Sequence, residues 1–227
     1  MRVATWNCQT GLDSNWDVVK KLDADVLTVQ ECGPDTRTQA EDRGWRCEYQ
    51  PGRWGKGVAV LARSPYEVER EYRDPSDTFS ASTVITRADG FRFRFVGFWA
   101  MTPKSVGQSY TRQARVLIDQ LPDDDLPTVI AGDFNASRSE AHIANVRRLR
   151  ERGLVNAYHK LNPDARPGQE EMPTSYFLWN PSRRYHMDFV FVPEAWPIRS
   201  VDVGAFKDYT MRGLSDHVPV IVSIDLP

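Results

Sequence analysis

Three shortages in this chain of 227 residues narrow what it can be. Cysteine is scarce: Cys8, Cys32 and Cys47 are the whole supply. An odd number without CxxC spacing supports neither a disulfide framework nor a zinc site. Long apolar runs are missing too, and nothing approaches the ~20 residues that span a bilayer. Positive charge is not in excess: 29 Lys and Arg stand against 31 Asp and Glu, a formal net charge of −2. No bulk basic field steers polyanions, so a nucleic-acid partner has to be held by a local patch. Repeats, low-complexity segments and linkers are absent, which leaves a single domain over residues 1–227. The chain opens directly on strand-like Arg2-Val3-Ala4-Thr5-Trp6-Asn7, with no room for a signal peptide. The expectation is a soluble, cytoplasmic protein of a reducing compartment, with no membrane attachment and no obligate protein partner.

The remaining composition is globular, with 41% hydrophobic residues and seven tryptophans able to serve a core or a substrate platform. Residues 2–7 read as a first strand. Ser14, with Asp17 three residues on, reads as an N-cap. Leu12, Trp16, Val19 and Leu22 keep helical spacing on one face. Residues 25–30 form a second strand that delivers Glu31 to its end. Residues 33–46 read as polar loop with room for a short helix. A glycine-rich turn, Gly52–Gly57, precedes the strand Val58–Ala62. Strand-like pieces follow at 66–73, 82–87 and 91–101. In the last, Phe91, Phe93 and Phe95 alternate with Arg92 and Arg94, a half-buried antiparallel pattern. Ser109 caps a helix with Tyr110, Ala114, Leu117 and Leu121 inward, ended by Pro122. Asp123-Asp124-Asp125 reads as a solvated connector. Thr128–Ala131 is a core strand running into Gly132-Asp133-Phe134-Asn135. A helix over 139–151 turns Ile143, Val146 and Leu149 inward and stops at Gly153. Residues 162–173 are loop, and strands at 186–193, 201–206 and 218–222 close the chain. Many strands, few helices and no regular βαβ alternation indicate two packed sheets flanked by helices.

Polar groups recur where these strands end. Asn7 ends the first and Glu31 the second. Asp133 and Asn135 follow the third core strand, Asp188 heads another, and Asp216-His217 precede the last. Half-buried carboxylates are costly unless paired or bound to a cation, and so many at strand ends point to one site. His142 and His159 belong to no such pattern and read as ordinary surface or helix residues.

Trp6-Asn7, Gln30-Glu31, Gly132-Asp133-Phe134-Asn135, the Thr174–Phe177 segment with His186-Met187-Asp188-Phe189, and Ser215-Asp216-His217 follow one another in a known order. In order and spacing they resemble the motifs of the endonuclease/exonuclease/phosphatase superfamily, the fold of pancreatic deoxyribonuclease, exonuclease III and the apurinic/apyrimidinic endonucleases. The match runs from residue 2 to about 223. The resemblance implies an α/β (α+β) four-layer sandwich, two mostly antiparallel sheets flanked by helices. It also implies divalent-metal hydrolysis of phosphate esters, with Mg²⁺ as cofactor and Mn²⁺ as a substitute. Glu31, Asn7 and Asp216 would serve the metal. Asp133 would act as general base, with Asn135 holding water and phosphate. His217 would touch the scissile phosphate, and Asp188 would hold its other ring nitrogen.

Three positions depart from the family pattern. Trp99 stands where most members carry His or Tyr, and an indole can donate one N–H but cannot exchange a proton. Gln9 replaces a frequent Asp and weakens a second metal ligand. His186 replaces a frequent Arg and offers a weaker phosphate contact.

The loops have to supply the substrate. The segment with Arg53, Trp54 and Lys56 either lies along a phosphate backbone and stacks a base, or forms a tight hairpin with its tryptophan folded back. Arg112 and Arg115 either face the cleft or form a solvated helix face. Tyr176, Phe177 and Trp179 make an aromatic wall or belong to the core. The leading expectation is a nuclease acting on DNA or RNA. The alternatives are a phosphatase or phosphodiesterase for a small phosphorylated substrate, and a silent phosphate-binding module.

Overall fold

The computed structural model describes residues 1–71, 79–102 and 109–227. In chain order its first strands are β1 (Arg2–Asn7), β2 (Val26–Cys32), β3 (Trp45–Pro51), β4 (Gly57–Arg63), β5 (Glu67–Arg70), β6 (Ser80–Thr86) and β7 (Arg92–Trp99). They are followed by β8 (Thr128–Asp133), β9 (Leu154–Asn156), β10 (Ser175–Tyr176), β11 (Arg184–Tyr185), β12 (Asp188–Pro193), β13 (Ile198–Val203) and β14 (Val220–Ile224). The helices are α1 (Trp16–Lys21), α2 (Thr36–Glu41), α3 (Tyr110–Asp119), α4 (Glu140–Glu151) and α5 (Ala157–Leu161).

Two six-stranded sheets result, ordered β13-β14-β1-β2-β4-β3 and β5-β6-β7-β8-β12-β9, with β10 and β11 as a small separate ribbon. Period-two patterning decides what each face meets. Val3, Val60, Phe93, Phe95, Val129 and Val190 point inward and fill the space between the sheets. Ala4, Trp6, Leu27 and Leu61 point outward on the first sheet and bury Trp16 and Val19 of α1 with Ala40 of α2. Phe98, Ile130, Phe189 and Phe191 do the same on the second, against Ala114 and Leu117 of α3 and Leu149 of α4. Each buried Phe or Leu contributes roughly 1.5–3 kcal/mol. The layers are therefore helix, sheet, sheet, helix, as expected.

Each sheet has one parallel pair at its centre: β1 with β2, and β7 with β8. Their neighbours β14 and β12 run antiparallel to them. The carboxyl ends of β1, β2, β7 and β8 thus share an edge with the entrances to β12 and β14. Strand register sets the details, placing Asn7 beside Gln30, Trp99 beside Asp133, and Asp133 beside Asp188. The sheets approach closely at Gly97, where an added Cβ would lie 2.3 Å from Thr28 Oγ1.

Several local expectations are corrected. The α1 helix starts after Asn15, and no side chain caps it; Ser14 sits in a preceding 3-10 turn. Residues 45–51, unassigned or read as loop, form β3, whereas α2 is the short helix allowed for within 33–46. The strand expected at 66–73 covers Glu67–Arg70, and positions 72 and 73 lie outside the described residues. The antiparallel reading of 91–95 holds against β6, while the half-buried reading fails at Arg94. Strand β7 is parallel to β8, and Arg94 is only 2% exposed. Its guanidinium is held by Glu71 and Asp124 at 2.7 Å each, so Asp124 is no mere solvated connector. The capping of α3 by Ser109 is as read, its Oγ accepting from the Arg112 amide. Helix α4 buries His142, Asn145 and Leu149, leaving Ile143 and Val146 partly covered.

Candidate active site

Asn7 is buried at the end of β1 and its side-chain amide reaches across the gap between sheets. Nδ2 donates to Glu31 Oε1 and to Asp133 Oδ2, both at 3.0 Å. Glu31 reaches that position through a bulge: the β2–β4 register shifts between Gln30 and Cys32, and Glu31 adopts φ +59°. A bulged residue is re-aimed out of the alternating pattern. The second carboxylate oxygen, Oε2, accepts from Lys56 Nζ at 2.6 Å.

Asp133 is fully buried and fixed from the far side by Asn135. The Asn135 backbone N–H donates to Oδ1 at 2.8 Å and its Nδ2 to Oδ2 at 3.0 Å. Asn135 Nδ2 also donates to the Ala100 carbonyl at 2.9 Å, tying the turn to the end of β7. Asp188 and His217 form the opposite wall, with Oδ2 of Asp188 2.8 Å from Nδ1 of His217. The other ring nitrogen, Nε2, lies 3.2 Å from Ser175 Oγ and 4.0 Å from Asp133 Oδ2. The remaining Asp188 oxygen, Oδ1, is buried and finds no hydrogen-bond partner among the described residues.

The loop carrying Asp216 and His217 is fastened to β1. Ser215 Oγ donates to the Asn7 carbonyl at 2.7 Å and accepts from the His217 amide at 3.0 Å. Trp6 Nε1 donates to the His217 carbonyl at 3.3 Å. Gln9 Oε1 accepts from the Asp216 amide at 3.3 Å, so this departure from the family pattern acts as a strut. Thr174 Oγ1 accepts from the Met187 and Asp188 amides and holds the head of β12. Thr174, Ser175 and Ser215 had no role in the sequence reading, although their motifs did; a hydroxyl's partner depends on which loop it meets.

Burial sets the electrostatics. Asp133 is pushed up to about 7 by burial and by the nearby Asp188 carboxylate, with the His217 charge opposing. Burial works against protonated His217, but Asp188 and Asp133 outweigh it and hold the imidazolium up to about 10. Asp216 is raised, first by burial and then by Glu31. The site is a crowd of carboxylates with too little positive charge, which suits a cation. Oxygen donors from Glu31, Asp133, Asp188, Asp216 and the Asn7 carbonyl fit a hard divalent ion. Among the described residues, ligand atoms of Asp133, Asp188 and His217 also fall within 4.8 Å of one another. While His217 is protonated, with Nδ1–H donating to Asp188, its ring has no lone pair to give an ion.

The predicted substrate contacts divide. Arg53, Trp54 and Lys56 form the turn before β4, and Trp54 is 66% exposed at φ +57°, so its ring does not fold back on the sheet. Arg53 donates to the Thr102 carbonyl at 3.2 Å. Phe177 and Trp179 are exposed next to the β10 segment, whereas Tyr176 is core. Two residues differ from expectation. Trp99 is 4% exposed, its ring belonging to the core between the sheets. His186 is buried against Tyr158 and Phe189, with Nδ1 2.6 Å from the Met172 carbonyl, and so makes wall packing rather than a phosphate contact. Arg112 is exposed in the first turn of α3, and among the described residues no hydrogen bond joins its side chain to the site.

The model of the Endonuclease/Exonuclease/phosphatase family matches residues 4–217. The chain belongs to the endonuclease/exonuclease/phosphatase family. Family members are hydrolases acting on phosphate esters, and they depend on divalent metals. No curated protein matches the chain closely in sequence. Solved structures share the fold across its whole length. A 3′ phosphatase from Neisseria bound to product DNA hairpin is 17% identical, with both chains covered in full and a TM-score of 0.71. An AP endonuclease from Archaeoglobus fulgidus is 15% identical with full coverage of both chains and a TM-score of 0.73. A mannosyl-6-phosphatase from Bacteroides thetaiotaomicron is 18% identical, again with full coverage of both, at 0.69. At such identities the likeness establishes the fold. No helix among the described residues is long and apolar enough to cross a membrane.

Proposed function

We propose that this protein is a nuclease that hydrolyses phosphodiester bonds of DNA or RNA with Mg²⁺, or Mn²⁺ in its place, by in-line attack of water. The supporting observation is the Asn7 bridge: one amide ties Glu31 of the first sheet to Asp133 of the second, and Asp133 in turn faces the His217–Asp188 pair. Glu31, Asn7 and Asp216 would hold the cation, which, when bound, neutralises phosphate charge and polarises the phosphoryl oxygen. Asp133, held by Asn135, takes a proton from the attacking water. Its rise to about 7 makes it a useful base near neutral pH. His217 stays protonated and presents N–H from Nε2 to a phosphate oxygen, while Asp188 fixes Nδ1–H and the ring orientation. Arg53 and exposed Trp54 on one rim, with Phe177 and Trp179 on another, offer charge and stacking surfaces for a nucleotide strand.

The net charge of −2 favours a second reading, a phosphatase or phosphodiesterase for a small phosphorylated substrate. Turnover of plasmid, single-stranded DNA, RNA and bis(p-nitrophenyl) phosphate, with and without Mg²⁺ or Mn²⁺, separates the two. Polynucleotide binding should weaken steeply with salt, and a small substrate should respond little. Activity that persists in chelator would overturn the metal assignment of Glu31.

A further inference from the structure

Among the described residues, Lys56 is the cation that touches Glu31, and its position is built in rather than incidental. Gly57 pairs with Cys32 and Val58 with Gln30, so the β2 bulge at Glu31 lies directly opposite the end of the 52–57 turn. That turn is closed on itself: the Gly52 amide donates to the Lys56 carbonyl at 2.8 Å, and the Lys56 amide to the Arg53 carbonyl at 3.0 Å. The backbone of Lys56 is therefore fixed while its four-carbon stem is free to swing. In this arrangement Nζ is 2.6 Å from Glu31 Oε2, and Asn7 holds Oε1. Both oxygens of Glu31 are spoken for.

We propose that Lys56 is a resident counter-charge that a divalent cation must displace from Glu31, and that the freed ammonium then turns to the phosphate of the substrate. This rests on the reading of Glu31 as a metal ligand. Several features carry it. A carboxylate oxygen at 2.6 Å from an ammonium cannot donate fully to a metal at the same time. A doubly charged ion competes for that oxygen more strongly than a single ammonium does. The pair is partly exposed, with side-chain exposures of 29% and 18%, so breaking it is inexpensive and solvent can re-hydrate Nζ during the exchange. A flexible ammonium beside an anion site is a usual phosphate contact. The consequence is positive coupling: metal frees the lysine for phosphate, and bound phosphate keeps the lysine away from Glu31. Without metal, Lys56 also keeps the carboxylate crowd from being left with still less positive charge.

Titration calorimetry with Mg²⁺ alone, then with inorganic phosphate in the absence and presence of Mg²⁺, tests this on the full chain. Lys56→Met should bind Mg²⁺ about three- to tenfold more tightly than wild type, since the competitor is gone. In the same variant the tightening of phosphate binding by Mg²⁺ should shrink by a similar factor. Lys56→Arg should restore most of that coupling. An unchanged or weakened Mg²⁺ affinity in Lys56→Met, with circular dichroism showing a folded chain, would overturn the proposal. Glu31→Gln separates this inference from the reading beneath it. If Glu31→Gln binds Mg²⁺ as wild type does, the metal assignment itself falls. If Glu31→Gln loses Mg²⁺ but Lys56→Met does not tighten it, only the role of Lys56 falls.

Discussion

Asp133 carries opposing demands: it is wholly buried, yet the proposed role of general base requires it to ionise. Three N–H donors from Asn7 and Asn135 favour its charged form, while burial and Asp188 push the other way. Asp133→Asn keeps the shape and removes the base. We expect kcat to drop by about 10²–10⁴ with little change in KM, read from steady-state kinetics on the best substrate. His217→Ala should lose a comparable factor, because it removes the proposed donor to phosphate. The pH profile follows from the same two residues. The proposed base acts ionised, so kcat/KM should rise with pH up to about 7, or at lower pH once a bound cation pulls the carboxylate down. The proposed role of His217 needs it protonated, so activity should fall only as pH climbs towards about 10. Asp188 is the leading cause of that high value, and Asp188→Asn should bring the alkaline limb down. An alkaline limb that stays in place in Asp188→Asn would refute this account of the His217–Asp188 pair. At this scale the sequence was informative: Asn7, Glu31, Asp133, Asn135, Asp188 and His217 were legible because each ends or heads a core strand. The residues that fix them were not, since Thr174, Ser175 and Ser215 act through partners more than twenty residues away or in another loop.

Strands explain most of the site, and their irregularities explain the rest. Apolar runs located β1, β2, β4 and β8, and period-two alternation located β7. Patterning missed β3, an edge strand whose Arg46, Glu48 and Gln50 resemble loop composition. It misjudged β7, because an arginine on the second face suggested solvent, whereas Glu71 and Asp124 satisfy a buried one. The bulge at Glu31 cannot be read from residue types, so the Lys56 contact was invisible too. Register is equally demanding at Gly132, just before Asp133, where an added Cβ would lie 1.9 Å from the Phe98 carbonyl oxygen. The three nearest atoms are all Phe98 backbone, which leaves no flexible group to give way. Gly132→Ala should cost about 2–4 kcal/mol, a fall in Tm of roughly 5–15 °C, and reduce activity by displacing Asp133. Gly33→Ala, where an added Cβ meets nothing within 4 Å, is the matched control and should change Tm by only about a degree. Equal melting temperatures for Gly132→Ala and wild type would show that the β7–β8 ladder is less rigid than argued.

Across the whole molecule, the four-layer plan separates two populations of histidine. His217 is buried among carboxylates at the sheet edge, while His142 is buried among rings on the outer face of the second sheet. His142 is 2% exposed, with its ring 5.1 Å from Phe189 and 6.4 Å from Phe134. The sequence reading took it for an ordinary surface or helix residue, since a single polar residue on α4 carries no mark of which way the helix rolls. Burial, the largest influence, lowers its pKa from 6.5 to about 4. The unfolded chain therefore takes up this proton first as pH falls. Stability linked to His142 is fully present above about 6.5, declines as pH falls towards 4, and changes no further below that. At about 1.4 kcal/mol per unit, the full loss approaches ~3 kcal/mol. Asp133 and His217 run the other way: their folded values are raised, so their contributions are lost as pH rises, between 3.8 and about 7 for the first and between 6.5 and about 10 for the second. The sum is not a simple acid transition, and a variant is needed to isolate one slope. His142→Leu keeps a similar volume and removes the proton site. Urea unfolding at pH 7.5 and pH 5 should show the variant gaining about 2 kcal/mol on wild type over that interval. Parallel pH dependences for the two proteins would mean that His142 is protonated in the folded state, and that its aromatic surroundings do not exclude charge as argued.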